Sequence, residues 1–213
     1  MDDLVLGPEE VMADRPFTDL AHTLREAGIL REMLAEERAR VMEWADGGRS
    51  HGREVVLRQR NEAGRRCLLV VPDVHALIHA PELSAVGFFG NAREEVDHAI
   101  LFSLEDELVD DMAASRGEGL LSYFDLELDA RGRYGNLVLF ASPEASETWP
   151  ANPIHRRAVE IAPRHYTTIR LHKGLVPGGL LGNGEVRISR TRYLDFTGAE
   201  GWRGLRHFPE PVG

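Results

Sequence analysis

The sequence is poor in cysteine and in positive charge, and each shortage excludes a class of protein. Cys67 is the only cysteine among 213 residues, so the chain can form neither an internal disulfide nor a thiolate metal cluster. The 35 acidic residues outnumber the 25 Lys and Arg residues, and the net charge of -10 repels nucleic acid and anionic lipid. We therefore expect no nucleic-acid partner.

Long apolar runs are also missing. No uninterrupted stretch approaches the roughly 18 apolar residues that a membrane-spanning helix requires. The acidic start Met1-Asp2-Asp3 lacks the basic region of an export signal. We expect a cytoplasmic protein that does not insert into membranes.

The remaining composition is that of a globular protein with one main domain and an extension. A hydrophobic content of 43% in a chain of this length is enough to bury a core. Helical spacing of apolar residues from Thr18 to Trp44 predicts a long amphipathic helix, and two short β-rich runs after it predict a hairpin. We divide the chain into a flexible arm (1–16), the helix and hairpin extension (17–83), the main domain (84–196) and a Gly- and Pro-rich tail (197–213).

The main domain alternates strand and helix signals. Period-two alternation predicts strands at 84–90, 119–129, 134–141, 166–173 and 185–195. Capping residues predict helix starts at Asn91, Ser142 and Asn152. The first four strands and their helices follow the ferredoxin-like βαββαβ order, an α+β class in which both helices lie on one face of an antiparallel sheet.

The second face of this sheet is uncovered in the prediction. Tyr123, Tyr134, Val138 and Phe140 would leave a mixed aromatic surface there, which a monomer rarely exposes. We expect a second sheet to cover it, supplied by another copy of the chain or by the N-terminal hairpin.

Candidate reactive side chains lie on the predicted strands. Tyr123 and Asp125 share a face by period two, as do Arg170 and His172, and Asn136 lies on a neighbouring strand. If the register brings these faces together, the set can orient a phenolic or carbonyl substrate and transfer protons. The same alternation is also typical of an ordinary polar outer face.

His155 occupies the third position of the helix that Asn152 and Pro153 begin. The positive end of the helix dipole disfavours an imidazolium there, so we expect a neutral ring. A neutral imidazole accepts a proton or binds a metal. The alternative is that the ring packs in the core or bonds to a backbone carbonyl.

The segment WPANPIHRRA, from Trp149 to Ala158, and the segment YTTIRL, from Tyr166, resemble the second helix and last strand of the dimeric α/β-barrel proteins. The similarity is to their antibiotic-biosynthesis-monooxygenase and haem-degrading-monooxygenase group, and it covers residues 84–173. It implies a homodimer whose sheets form an α/β barrel, with a cavity for small organic molecules between sheet and helices.

The resemblance also implies a monooxygenase-like oxidoreductase that acts on an organic substrate such as an aromatic compound or secondary metabolite. Members of such groups use substrate-driven oxygen chemistry without a cofactor, or bind haem. The usual iron-ligating histidine is replaced by Val159, so a haem here would need His155 or His98. A non-catalytic binding module, in which the N-terminal helix covers a partner, is a further alternative. The implied catalytic residues are His155, Tyr123, Asp125 and Arg170, and the implied substrate-binding residues are Trp149, Asn136, His172 and Phe89.

Overall fold

The computed structural model describes residues 3–47, 55–60, 64–94, 98–114, 119–129 and 133–213. Within these ranges, nine strands form a single mixed sheet that is mostly antiparallel, and five helices pack on it. The strands are β1 (Leu4–Leu6), β2 (Val55–Arg60), β3 (Arg66–Val71), β4 (Glu82–Ala92), β5 (Leu120–Asp129), β6 (Arg133–Phe140), β7 (Tyr166–Pro177), β8 (Arg187–Asp195) and β9 (Trp202–Val212). The helices are α1 (Leu20–Asp46), α2 (Val74–His79), α3 (His98–Ala114), α4 (Pro143–Thr148) and α5 (Pro153–His165).

Helices α4 and α5 begin at the predicted caps Ser142 and Asn152, but the predicted helix start at Asn91 is wrong. Asn91 still belongs to β4, because the strand continues to pair with β7 there and the Asn91 side chain donates a hydrogen bond to Thr168. Helix α3 is described only from His98.

The Asp19 side chain accepts a hydrogen bond from the Ala21 amide at the start of α1. Ser142 caps α4, and the Asn152 side chain accepts hydrogen bonds from two amides of the first turn of α5. Each cap satisfies amide groups that have no partner inside the helix, which fixes where the helix starts.

The centre of the sheet has the predicted strand order. Strands β7, β4, β6 and β5 are neighbours in that order, and every adjacent pair is antiparallel. Helices α3 and α5, which follow β4 and β6 along the chain, contact each other on one face of this layer. This is the arrangement expected for two split βαβ units with right-handed crossovers.

The sheet is not closed into a barrel. It continues past β5 through β3 to β2, and past β7 through β8 and β9 to β1. The predicted hairpin therefore does not fold over the central strands. Its second strand pairs antiparallel with β5 and lengthens the same sheet.

Helix α1 covers the face that we expected a second sheet to bury. Its residues Leu30, Leu34 and Val41 are fully buried in one cluster with Phe124 of β5 and Leu137 of β6. We call this side of the sheet the α1 face and the opposite side, where α3, α4 and α5 pack, the α3/α5 face. The expectation of a covering sheet is wrong because the apolar stripe of α1 already supplies the cover. The side chains that we expected on the uncovered face were also misplaced, because Val138 and Phe140 are buried against α3 on the α3/α5 face and Tyr123 packs beside them.

Both chain ends join the sheet instead of forming an arm and a surface tail. Strand β1 pairs in parallel with β9, and β9 pairs with β8. The buried Arg206 guanidinium donates hydrogen bonds to the backbone carbonyls of Gly7 and Glu10, which fixes the N-terminal segment. Pro209 and Pro211 fit in β9 because β1 pairs with it only from Gly204 to Arg206, so neither proline removes a bond to that strand.

In the described part of the chain, no helix combines the length and apolar composition needed to cross a bilayer.

Candidate functional site

Three of the predicted polar residues meet on the α3/α5 face. Asp125 of β5 and Asn136 of β6 are direct partners in the sheet register, and Tyr123 lies two residues before Asp125 on the same face. The Asn136 side-chain amide donates one hydrogen bond of 2.7 Å to the Tyr123 hydroxyl and another of 2.7 Å to Asp125 Oδ1. We call these three residues the Asp125 cluster.

The carboxyl group of Asp125 is buried and only partly satisfied. The residue is 3% exposed, and its Oδ2 atom has no hydrogen-bond partner among the described residues. Burial raises the pKa of Asp125 well above its usual range, and the nearby Glu105 carboxyl raises it further. The guanidinium of Arg66, with Nη1 4.0 Å from Oδ2, offsets only part of this rise.

Arg66 does not fully neutralise Asp125 because it is paired with Glu105. Its Nη2 atom donates a hydrogen bond to Glu105 Oε2, and its guanidinium lies 4.6 Å from the centre of the Phe102 ring. No local sequence pattern marks Arg66 or Glu105 as site residues. Only the pairing of β3 with β5, which places Leu68 opposite Asp125, brings that part of the chain to the site.

Two tyrosines next to Asp125 keep their protons at neutral pH. Burial and the Asp125 charge raise the pKa of both Tyr123 and Tyr166. The Tyr166 ring packs edge-on against Phe88, at 5.4 Å between centroids, and crosses directly over Gly90. A Cβ atom at Gly90 would lie 2.5 Å from Tyr166 Cε1, so only glycine leaves room for this ring. Tyr166 is a site residue that the sequence analysis treated only as the start of a strand.

Arg170 and His172 do not join the Asp125 cluster. Their register partners on β4 are Phe89 and Gly87, and they project from the α1 face. There, Arg170 Nε donates to both carboxylate oxygens of Glu26, at 2.9 and 2.8 Å, and His172 Nε2 donates to Glu26 Oε2 at 2.8 Å. The expected convergence of all five polar residues is therefore wrong, because the sheet lies between the two groups.

The residues around Glu26 form a second polar cluster, with every charge paired. His172 Nδ1 and the Thr191 hydroxyl share a hydrogen bond of 2.8 Å, and Glu26, Arg170 and His172 are at most 6% exposed. Burial alone would raise the pKa of Glu26, but the hydrogen bonds from His172 and Arg170 outweigh it and the pKa is lowered. We call Glu26, Arg170, His172 and Thr191 the Glu26 cluster.

Phe89 and Trp149, both predicted to contact substrate, lie on opposite faces. The Phe89 ring is 5.5 Å from the His172 ring on the α1 face. The Trp149 ring lies on the α3/α5 face, 6.2 Å from Phe140 and 5.9 Å from His155. Only Trp149 is therefore on the same face as Asp125.

His155 is partly buried against Trp149, and its Nδ1 atom has no hydrogen-bond partner among the described residues. Burial lowers its pKa, so the ring is neutral near pH 7. The direction agrees with the sequence prediction, but burial, not the helix dipole, is the cause. A neutral ring with an unpartnered nitrogen is able to accept a proton.

The residues around His155 do not fit a haem. Phe140, Leu108 and Met112 are buried in one cluster on this face, with Trp149 and Ile154 packed against it. Trp149, which packs against this cluster, has its ring centre 5.9 Å from that of His155, so an aromatic side chain already lies beside the imidazole where a macrocycle would need to bind. Val159, at the position of the usual ligand, is 56% exposed. The side chain of His98, the other candidate ligand, lies outside the described residues.

A groove of about 490 Å³ opens on the outer surface between α3 and α5. Ile100 and Leu104 line it from α3, and Arg157 and Ile161 line it from α5. None of the predicted site residues lines this groove. It therefore lies on the outside of the helix layer, away from the Asp125 cluster.

Comparisons with known proteins do not assign this chain to a family. No protein-family model matches it, and no curated protein is similar enough to match it. Among solved structures, it is similar to the NE2512 protein of unknown function from Nitrosomonas europaea, with 16% sequence identity and a TM-score of 0.39. That match covers 49% of this chain and 99% of the other.

Proposed function

We propose that the protein is a small-molecule oxidoreductase, monooxygenase-like, that acts on an organic substrate at the Asp125 cluster. The observation that carries the proposal is the carboxyl group of Asp125, which is buried, has a raised pKa and keeps one oxygen without a partner. Perturbed carboxyl groups of this kind are typical of groups that transfer protons in active sites.

The hydrogen-bond directions suggest a role for each residue. Because the Tyr123 oxygen accepts a hydrogen bond from Asn136, its own hydrogen is available to a substrate oxygen. Asp125 Oδ2 is available to accept a proton from the carbon next to that oxygen. Asn136 holds Tyr123 and Asp125 at a fixed separation, so that both act on one substrate.

The chemistry that fits these roles requires only dioxygen as oxidant. Asp125 removes a proton from an activated methylene group, and Tyr123 stabilises the resulting enolate oxygen. The enolate carbon is oxidised by dioxygen and forms a bond to it, and the resulting peroxide anion takes the proton back from Asp125. Asp125 then removes the second proton of the same carbon, the O–O bond breaks as the carbonyl forms, and the hydroxide that leaves takes this proton from Asp125 to become water. One methylene group and one dioxygen molecule give one carbonyl group and one water molecule.

Kinship with the dimeric α/β-barrel proteins and a homodimeric state belong to the same proposal. Their support is the order of the four central strands and the shared face of α3 and α5. Because α1 covers the face that a second copy would occupy in such a barrel, we place any dimer contact at another surface.

The test is oxygen uptake with anthrone, an aromatic ketone with an activated methylene group, followed with an oxygen electrode. We expect Asp125→Asn to lower the rate by about 100-fold or more, as removal of a general base does. Asp106→Asn, the same change at an exposed position of α3, is the matched control and should keep the rate. Equal rates for wild type and Asp125→Asn, or no anthrone-dependent uptake, would reject the proposal.

The packing between sheet and helices favours a second candidate, a non-catalytic binding module that uses the outer groove. Buried side chains, among them Val138 and Phe140, fill the layer beside Trp149, whereas the groove is open. In that case, a bound ligand would be displaced by Ile100→Glu in the groove and unaffected by Asp125→Asn. Oxygen uptake that depends on Asp125 would exclude this candidate.

A further inference from the structure

Beyond α5, the α3/α5 face of the sheet carries a concentrated set of cations. On β8, Thr191 and Tyr193 are buried on the α1 face, so Arg190, which precedes Thr191, and Arg192, which lies between the two, project from the other side. The register places Arg190 between Lys173 of β7 and His207 of β9. We call this surface the basic sheet face, and its members are Lys173, Arg187, Arg190, Arg192, Arg203 and His207.

The basic sheet face is open to solvent. The three helices on this side pack over other strands: α3 over β2 and β3, α4 over β4 and β6, and α5 over β7. The side chains of Arg187, Arg192, Arg203 and His207 are exposed. One half of this sheet face is therefore covered by helices, and the other half is not.

Acidic side chains neutralise only part of this surface. Glu147 Oε1 accepts hydrogen bonds from Lys173, at 2.8 Å, and from Arg190, at 2.5 Å, and Asp3 accepts one of 2.9 Å from Arg192. Within the described ranges, no ion pair joins Arg187 or Arg203 to a carboxylate. A positive surplus at one place is unusual in a chain whose net charge is -10.

Apolar side chains are interleaved with these cations. Leu205 and Arg192 are register partners, as are Leu194 and Arg203, and both leucines are only half-buried. Val5 of β1, opposite Leu205 and on the same face, is 67% exposed. Mixed apolar and cationic rows suit a partner that presents both carboxylates and aliphatic side chains.

We propose that the basic sheet face binds an acidic amphipathic helix of a partner protein. Such a helix would place its aliphatic residues on Val5, Leu194 and Leu205 and its carboxylates on the flanking arginines, beside α5 in the same layer. Nucleic acid fits less well, because the aromatic side chains that the structure describes on β8 and β9 (Tyr193, Trp202 and Phe208) pack in apolar clusters and are not placed among these cations to stack on bases.

The probe is a fluorescein-labelled peptide of about 18 residues, five helical turns, with leucines at helical spacing among glutamates. We expect its fluorescence anisotropy to rise with added protein and the affinity to fall as salt increases. Arg190→Glu with Arg192→Glu should weaken binding by at least about tenfold, since two favourable contacts become repulsive. Circular dichroism melting checks that this variant is folded.

A matched control is available on the same face at the opposite edge of the sheet. Arg58 and Arg60 of β2 are also exposed and two residues apart and, like Arg190 and Arg192, each lies beside an acid. Arg58→Glu with Arg60→Glu changes the net charge equally and should alter the affinity by less than about twofold.

Three outcomes would overturn the proposal. The first is that both double variants weaken peptide binding equally, which would mean that the net charge of the protein, and not this surface, determines the affinity. The second is binding of an oligoribonucleotide, or of vesicles containing phosphatidylserine, in preference to the peptide. The third is a protein dimer by light scattering that Arg190→Glu with Arg192→Glu converts to monomer, which would make a second copy the occupant.

Discussion

Two buried carboxyl groups, Glu26 on one face of the sheet and Asp125 on the other, differ in how many partners each has. Glu26 accepts hydrogen bonds from a guanidinium and an imidazole through both of its oxygens. Asp125 accepts one bond from a neutral amide, and another carboxyl group, Glu105, lies near it. The pKa of Glu26 is therefore lowered and that of Asp125 is raised, although burial acts on both in the same direction.

The difference shows that burial of a charged residue is not by itself a sign of function. In the Glu26 cluster, each donor that faces the carboxylate is used, and the result is a fixed link between α1 and the sheet. In the Asp125 cluster, one oxygen and one hydroxyl hydrogen remain available, which is what binding and proton transfer require. Unused hydrogen-bonding capacity distinguishes the candidate site.

The largest effect should come from Glu26→Gln, which leaves the buried Arg170 without a counter-ion. Loss of one partner from a buried pair typically costs about 3–5 kcal/mol, measured here as the free energy of unfolding in urea. The same change at Glu32, exposed on α1, should have almost no effect. If Glu26→Gln is too unstable to purify, Arg170→Met tests the same link.

The pH dependence of the Glu26 contribution follows from the direction of the shift. Because the folded-state pKa lies below the ordinary value of 4.5, the stabilisation is present above pH 4.5 and is lost as pH falls through the folded-state pKa. A loss of less than about 1 kcal/mol on Glu26→Gln would show that the cluster is not the link between α1 and the sheet.

The comparison extends to a third buried carboxyl group, Glu37, which the described residues give no ion pair and no well-formed hydrogen bond. Glu37 of α1 is fully buried, and neither oxygen accepts a hydrogen bond from the described residues. Burial raises its pKa to about 7, and the nearby Ser122 hydroxyl and the Arg38 charge offset only part of the rise. Its stabilising contribution is therefore greatest below pH 4.5 and is lost as pH rises through about 7.

Replacement of Glu37 by Gln should raise stability at pH 8 by about 2 kcal/mol, because the neutral amide avoids a buried charge. At pH 4.5, the variant and the wild type should differ little, since the carboxyl group is then protonated. Urea unfolding at pH 8 and at pH 4.5 measures the difference in free energy of unfolding between the variant and the wild type. Glu36→Gln on the same helix is the control. Equal effects at both pH values would mean that the pKa of Glu37 is not raised in the folded protein.

Much of the centre of the fold could be predicted from the sequence. The alternation around Tyr123 and Asp125 and the caps at Ser142 and Asn152 are local signals, and each determines local structure directly. The order of the four central strands then follows from the handedness of the crossovers.

The grouping of the site residues could not be predicted in the same way. Period two shows that Arg170 and His172 share a face, but both faces of a central strand carry apolar neighbours, so the pattern does not say which face. The partner that decides it, Glu26, is 144 residues from Arg170 in sequence, on a helix whose other acids are mostly exposed. Arg66 and Glu105 were missed for the same reason, because long-range pairing and not local pattern brings them to Asp125.

The smallest effect should come from Asp125→Asn, measured as stability rather than rate. Because the pKa of Asp125 is raised above its usual 3.8, the wild type loses stability as pH rises through the folded-state value. The amide should remove this pH dependence and stabilise the protein at pH 7 by about 1 kcal/mol, because it avoids a buried charge that Arg66 and Asn136 compensate only in part. The control is Asp106→Asn, at an exposed position of α3, which should change neither the stability at pH 7 nor its dependence on pH. A destabilisation of several kcal/mol would instead place Asp125 with Glu26, as a carboxylate that the fold needs in its charged form.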